Sequence, residues 1–143
     1  MNFGQPVNGL SSSLFGRADG SFDARQIQFG LLPFEPYEKD GVSIVSAMRP
    51  ANTVGGDYFD YIPLSRDRLG LVVADVSGKG MSAALYMAEL KGLILSLSQI
   101  HLSPRDLLVS ANTLISMHLD SRSFITMTYA VLDLEARTLT YAR

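Results

Sequence analysis

A chain of 143 residues with 47% hydrophobic and 18% charged side chains is long enough to bury one core and too apolar to stay disordered. Its 12 basic side chains stand against 14 acidic ones, a net charge of −2 with no basic block, which argues against nucleic-acid binding. Cysteine is absent, so disulfides, thiolate nucleophiles and cysteine metal sites are excluded, as suits a cytoplasmic protein.

Residues 1–22 are rich in Gly, Ser and Asn without periodicity and are expected to form a flexible N-terminal segment, with no secretory signal. A linker helix and its connection are expected over 23–40. Asp23 opens a helical stretch with Ala24, Ile27 and Leu31 on one face, and Pro33 and Pro36 stop it. Residues 41–143 form the main folded unit. Val42–Met48 alternates like a strand, with Val42, Ile44 and Ala47 toward the core.

Tyr58–Leu64 and Leu69–Val76 are β-rich runs on either side of a polar turn and predict a hairpin. Met81–Ile100 predicts a helix that is apolar on most sides and therefore sandwiched in the fold. Glu89 and Lys91 at its centre argue against a membrane span. Ser103, Pro104 and Asp106 are a helix-start signature, and Leu107, Ala111, Leu114, Ile115 and His118 follow on one stripe. Phe124–Leu134 predicts a long buried strand and Thr138–Ala142 a last one. The methionines are expected to pack the core. This order predicts a layered α/β or α+β domain with helices packed on antiparallel strands.

Asp57 and Asp75 are the sharpest chemical feature. A turn centred between Arg66 and Asp67 sets 58 against 75 and 57 against 76, which makes the two aspartates diagonal neighbours at the open end of the hairpin. Carboxylates that close repel unless a cation lies between them, and oxygen-only ligands favour Mg²⁺ or Mn²⁺. On spacing alone, ordinary strand-end aspartates account for the pattern equally well. The Ser77–Gly80 loop, with Gly78 and Lys79, lies between a strand and a helix start where backbone N–H groups meet anions. A plain strand-to-helix connection explains it better on this evidence, and the Walker A pattern is not met. Arg49 reads first as a solvated or structural arginine, with phosphate contact the alternative. Asp60 reads as a strand-face carboxylate and His118 as a half-buried core residue.

RPANTVGGDYFDY (49–61) followed by LGLVVADVSGKGMSAALYMAELK (69–91) resembles the phosphatase domain of the bacterial RsbU and SpoIIE proteins, members of the metal-dependent PPM phosphatases. The likeness continues through ARQIQFGLLP (24–33), SPRDLLVSAN (103–112) and FITMTYAVLDLEARTLTYAR (124–143). The resemblance implies an α+β fold, an antiparallel β-sandwich flanked by helices. It implies two Mn²⁺ or Mg²⁺ ions held by Asp57, Asp75 and the backbone carbonyl of Val76, with Arg49, Gly78 and Lys79 toward phosphate.

It further implies hydrolysis of phosphoserine or phosphothreonine by metal-activated water, on a phosphorylated regulatory protein of the anti-anti-sigma type. An upstream sensor domain acting through the 23–40 helix is implied as well. The family's remaining metal aspartates fall beyond Arg143, so the domain is expected to be truncated at its C-terminus and inactive alone. An unpaired strand edge then favours a homodimer. The alternative is a degenerate domain that binds the partner without catalysis. Gly55-Gly56-Asp57 also evokes diguanylate cyclases, but Tyr58 follows it and Val42–Met48 holds no acid, so that reading is rejected.

Overall fold

The computed structural model describes residues 20–49 and 53–143. Helix α1 (Gly20–Leu31) leads into a short hairpin of β1 (Tyr37–Lys39) and β2 (Val42–Ile44). Then follow β3 (Asp57–Pro63), β4 (Arg68–Val76), α2 (Met81–Ser98), α3 (Pro104–Ile115), β5 (Ile125–Asp133) and β6 (Thr138–Ala142). The fold is α+β. The larger sheet is antiparallel in the order β3-β4-β5-β6, and β1-β2 forms a second, two-stranded one. No helix among the described residues is long and apolar enough to cross a membrane.

The core lies on one face of the larger sheet. Strand alternation sends Tyr58, Ile62, Val72, Ala74, Val76, Tyr129 and Val131 to that face. They meet Met87, Leu90 and Ile94 of α2 and Leu107, Ala111 and Ile115 of α3. Helix α3 begins as its sequence dictates. The Ser103 hydroxyl accepts from the Asp106 N–H at 3.4 Å, and Pro104 occupies the first turn, where no N–H is needed.

Several expectations change. The segment 1–22 lies outside the described residues except for its end, where α1 begins at Gly20, three residues earlier than expected. In α1 the buried position is Gln28, while Ile27 is 67% exposed; the inward stripe runs through Ala24, Gln28, Leu31 and Leu32 at helical spacing. The strand expected over Val42–Met48 stops at Ile44 because it pairs back on β1 through Asp40-Gly41. Both turn residues have positive φ, 50° and 81°, the geometry that an Asp-Gly hairpin turn favours. Ala47 is exposed, and Met48 takes the place against the core.

Helix α2 is not sandwiched among the described residues: one side packs on the sheet while Met81, Leu85 and Leu95 face outward. Leu114 is partly exposed, and His118 lies beyond the end of α3 on the surface, its Nδ1 2.8 Å from Glu89 Oε1. Of the methionines, Met87 is fully buried, whereas Met81 and Met117 are exposed. Strand β5 is buried through Tyr129, Ala130 and Val131, but Phe124 at its entrance is exposed.

Candidate metal centre

The β3–β4 hairpin brings the two aspartates together. Leu64 N–H donates to the Arg68 carbonyl at 2.9 Å, which centres the turn on Arg66. The pairing therefore moves by one residue from that expected, and Asp57 stands directly opposite Asp75. The correction decides the chemistry. Side chains alternate across a sheet, so in the expected register the two carboxylates would point to opposite faces; in the observed one they share a face. That face is the one turned away from α2 and α3, and both aspartates are exposed there. Like charges directly opposite destabilise a strand pair, and a bound cation turns that repulsion into attraction.

Gly56 brings β3 close to a backbone oxygen of β4. A Cβ on it would lie 2.3 Å from the Val76 carbonyl oxygen and 2.9 Å from the Val76 Cβ. Only a residue without a side chain lets the two backbones approach so closely. The Val76 N–H donates to the Gly56 carbonyl at 3.2 Å and fixes the approach. The Val76 side chain is fully buried, which leaves its backbone carbonyl as the one group it could offer a cation. Two carboxylates and a carbonyl are hard oxygen donors, and they fit Mg²⁺ or Mn²⁺ with water completing the coordination. Among the described residues no cluster of three or more His, Cys, Asp or Glu side chains gathers in metal-binding reach.

The Ser77–Gly80 loop is anchored rather than free. Ser77 N–H donates to the Phe124 carbonyl at 2.9 Å, and the Phe124 N–H donates to Ser77 Oγ at 2.8 Å. Gly78 and Gly80 take positive φ, 97° and 76°, while Gly78 and Lys79 are exposed. Gly80 caps α2 without a side-chain bond, which leaves first-turn N–H groups of that helix available to an anion. Arg49 is exposed, and residues 50–52 after it lie outside the described residues.

Three features escaped the sequence reading. Gln28, only 4% exposed, clamps the glycine pair from α1: its Nε2 donates to the Gly55 carbonyl at 2.6 Å, and its Oε1 accepts from the Gly55 N–H at 3.1 Å. A polar residue in the i, i+4, i+7 stripe with Ala24 and Leu31 was the available signal. A cleft of about 940 Å³ reaches both faces of the sheet: Asp57, Asp75, Thr126 and Thr128 line it from the outer face, and Arg105 and Asn112 of α3 from the helix side. Beneath β3, on the opposite face from Asp57, Asp60 forms a buried ion pair with Lys91 of α2. Its Oδ2 also accepts from the Tyr58 hydroxyl at 3.0 Å. Burial first, then the charge of Asp60 and the hydrogen bond to it, push the Tyr58 phenol far above its ordinary range.

Residues 65–143, more than half of the chain, match the family described as Stage II sporulation protein E (SpoIIE). The phosphoserine phosphatase RsbU of Bacillus subtilis (strain 168) is 30% identical over 119 residues, 83% of this chain and 35% of that protein. The phosphoserine phosphatase RsbP of the same organism is 29% identical over 122 residues, 82% of this chain and 30% of that protein. A crystal structure containing the RsbU and RsbW domains of a Mycobacterium tuberculosis protein superposes with a TM-score of 0.52 at 30% identity. The match covers 60% of this chain and 24% of that one. The chain thus spans about a third of the length of the curated relatives it matches. On the sequence match, and with antiparallel strands and helices in the arrangement that goes with it, the chain belongs to the SpoIIE family, the RsbU-type branch of the PPM phosphatases.

Proposed function

We propose that this chain carries the metal-binding part of a phosphoprotein phosphatase site, acting on phosphoserine or phosphothreonine of a regulatory protein of the anti-anti-sigma type. The observation that carries the reading is the direct pairing of Asp57 with Asp75 on one face, beside a Val76 carbonyl that only Gly56 lets come so near. When bound, Mn²⁺ or Mg²⁺ supplies an acidified water and neutralises charge on the phosphoryl oxygens. Asp57 and Asp75 would hold the cations. Gly78, Lys79 and the start of α2 present donors and positive charge toward phosphate, with Arg49 as a further candidate. The likeness to RsbU and RsbP supports this chemistry. Helix α1, clamped by Gln28 to the residue pair before Asp57, is the natural entry for a signal from an upstream sensor domain. The edge of β6 is the surface on which a second copy would pair. A cytoplasmic location accords with such a partner.

Mn²⁺ binding by the chain, followed by water-proton relaxation, tests the site, and phosphate release from a phosphoserine peptide tests the chemistry. Asp75→Asn removes one charged ligand and is expected to weaken Mn²⁺ binding by about 10-fold or more, with loss of any metal-dependent phosphate release. Unchanged titration and turnover in Asp75→Asn overturn the reading. A second reading, partner binding without hydrolysis, draws on the lack of a third converging carboxylate among the described residues. Mn²⁺ binding with no phosphate release under any condition identifies it.

A further inference from the structure

The buried pair beneath the site has a role that the metal chemistry does not use. Asp60 is 7% exposed, and all of its partners are accounted for. The Tyr61 N–H donates to Oδ1 at 3.0 Å, while the Tyr58 hydroxyl and Lys91 Nζ meet Oδ2. Tyr58 and Tyr61 belong to the same strand as Asp60. Lys91 alone comes from another element, and it also lies 5.8 Å from the centre of the Tyr58 ring.

Helix α2 has an unusual need for such a contact. Apolar side chains surround it: Met87, Leu90 and Ile94 are buried, while Leu85 is 65% exposed on the outside. Hydrophobic burial is non-directional, so it distinguishes poorly between this seating and one turned or shifted about the helix axis. Glu89 and Lys91 are the only charged residues in α2, and Glu89 pairs with His118 at the surface. A turned or shifted helix would leave Asp60 buried without its cation, a strongly unfavourable state. The seating matters because α2 starts directly after the Ser77–Gly80 loop, and β3 starts with Asp57.

We propose that Asp60 and Lys91 are a positioning pair, whose contact sets the seating of α2 on β3 and so the placement of the Ser77–Gly80 loop relative to Asp57. The inference deepens the metal-site reading and rests on it for its functional meaning. Its structural half stands on the pair alone.

The test uses the 143-residue chain without metal and then with Mn²⁺. The double variant Asp60→Asn/Lys91→Met removes both charges together and so avoids a stranded buried ion. Hydrogen exchange is read at two amides that report the seating, Val76 N–H bonded to the Gly56 carbonyl and Ala84 N–H bonded to the Gly80 carbonyl. Both are expected to exchange at least about tenfold faster in the double variant, while core amides of β5 keep their protection. Lys91→Arg, which keeps the charge, restores slow exchange. Asp60→Asn/Lys91→Gln, which is also neutral at both positions but keeps a polar group at each, serves as the milder variant if the first double variant does not fold.

With Mn²⁺, the affinity of the double variant falls by about tenfold even if its thermal midpoint equals that of the parent chain. Unchanged exchange at Val76 and Ala84 in a folded variant overturns the proposal. So does an Mn²⁺ affinity that simply follows stability. A parent chain whose Mn²⁺ binding is indifferent to Asp57→Asn refutes the metal-site reading instead, and the exchange result then still decides the seating.

Discussion

Gly70 and Tyr129 form a coupled pair whose energetics the structure makes calculable. Tyr129 on β5 is fully buried, and its ring lies diagonally across β4 over Gly70. A Cβ at position 70 would come within 2.7 Å of the Tyr129 hydroxyl and 3.3 Å of Cε2 and Cζ. The ring is fully enclosed in the core cluster, and β5, paired with Val72 and with Ala142, cannot shift its backbone away. Gly70→Ala therefore overpacks the core and should cost about 2 kcal/mol, within the usual range of about 1–3 kcal/mol for added methylenes. The better strand propensity of alanine offsets only a fraction of that.

The same hydroxyl has no hydrogen-bond partner among the described residues, so it is desolvated without compensation. Tyr129→Phe should thus be neutral or stabilising by up to about 1 kcal/mol, the reverse of the usual effect of deleting a buried hydroxyl. In the Tyr129→Phe background the 2.7 Å clash is gone and only the 3.3 Å contacts remain, so Gly70→Ala should cost less than about 1 kcal/mol. The coupling energy is then about 1–2 kcal/mol. Urea denaturation followed by far-UV circular dichroism reads all four corners of the cycle. At a slope of about 1–1.5 kcal/mol per molar, Gly70→Ala alone moves the midpoint by more than 1 M. Equal costs of Gly70→Ala in both backgrounds would refute the reasoning.

Gly56→Ala should be more severe, about 3 kcal/mol, because the obstructing atom is the Val76 backbone oxygen at 2.3 Å and not the tip of a side chain; calorimetry measures the stability, and loss of Mn²⁺ binding should accompany it. Gln28→Leu keeps the volume but leaves both Gly55 backbone groups without their partner, so about 2 kcal/mol should be lost, and faster hydrogen exchange at Gly55 checks the site of the loss. Tyr58 and Tyr129 both have folded pKa values raised, chiefly by burial. A raised folded value means that their contribution is intact below the unfolded pKa near 10 and is lost as pH climbs above it. Stability should therefore fall by up to about 1.4 kcal/mol per pH unit per tyrosine above about pH 10, and Tyr129→Phe should reduce that slope by one proton.

Local patterns were legible in the chain because their causes are local. The Ser103-Pro104-Asp106 start of α3 and the start of α2 at Met81 depend on neighbours a few residues away, and each formed where the residues placed it; the polar turn between β3 and β4 formed too, one residue out of the expected register. Asp57 and Asp75 stood out on either side of a hairpin, but spacing alone left them open between a cation site and ordinary strand-end aspartates; the metal role is what the resemblance carried by the GGD and DVSGKG runs implies. The signal in Asp40-Gly41 was equally local, and two positive φ angles show what it encoded.

Only the folded chain decided the rest. Whether Asp57 and Asp75 face each other turned on one residue of register, set by a Leu64–Arg68 hydrogen bond that residue pattern does not determine. The burial of Gln28 depended on a carbonyl 27 positions away, and that of Asp60 on a lysine 31 positions away. A buried polar side chain is stable only beside a partner of the right chemistry, and such partners come from distant elements brought together by the packing of the whole core. Composition and periodicity describe which faces want to leave water; which polar group each face then meets is a property of the tertiary structure.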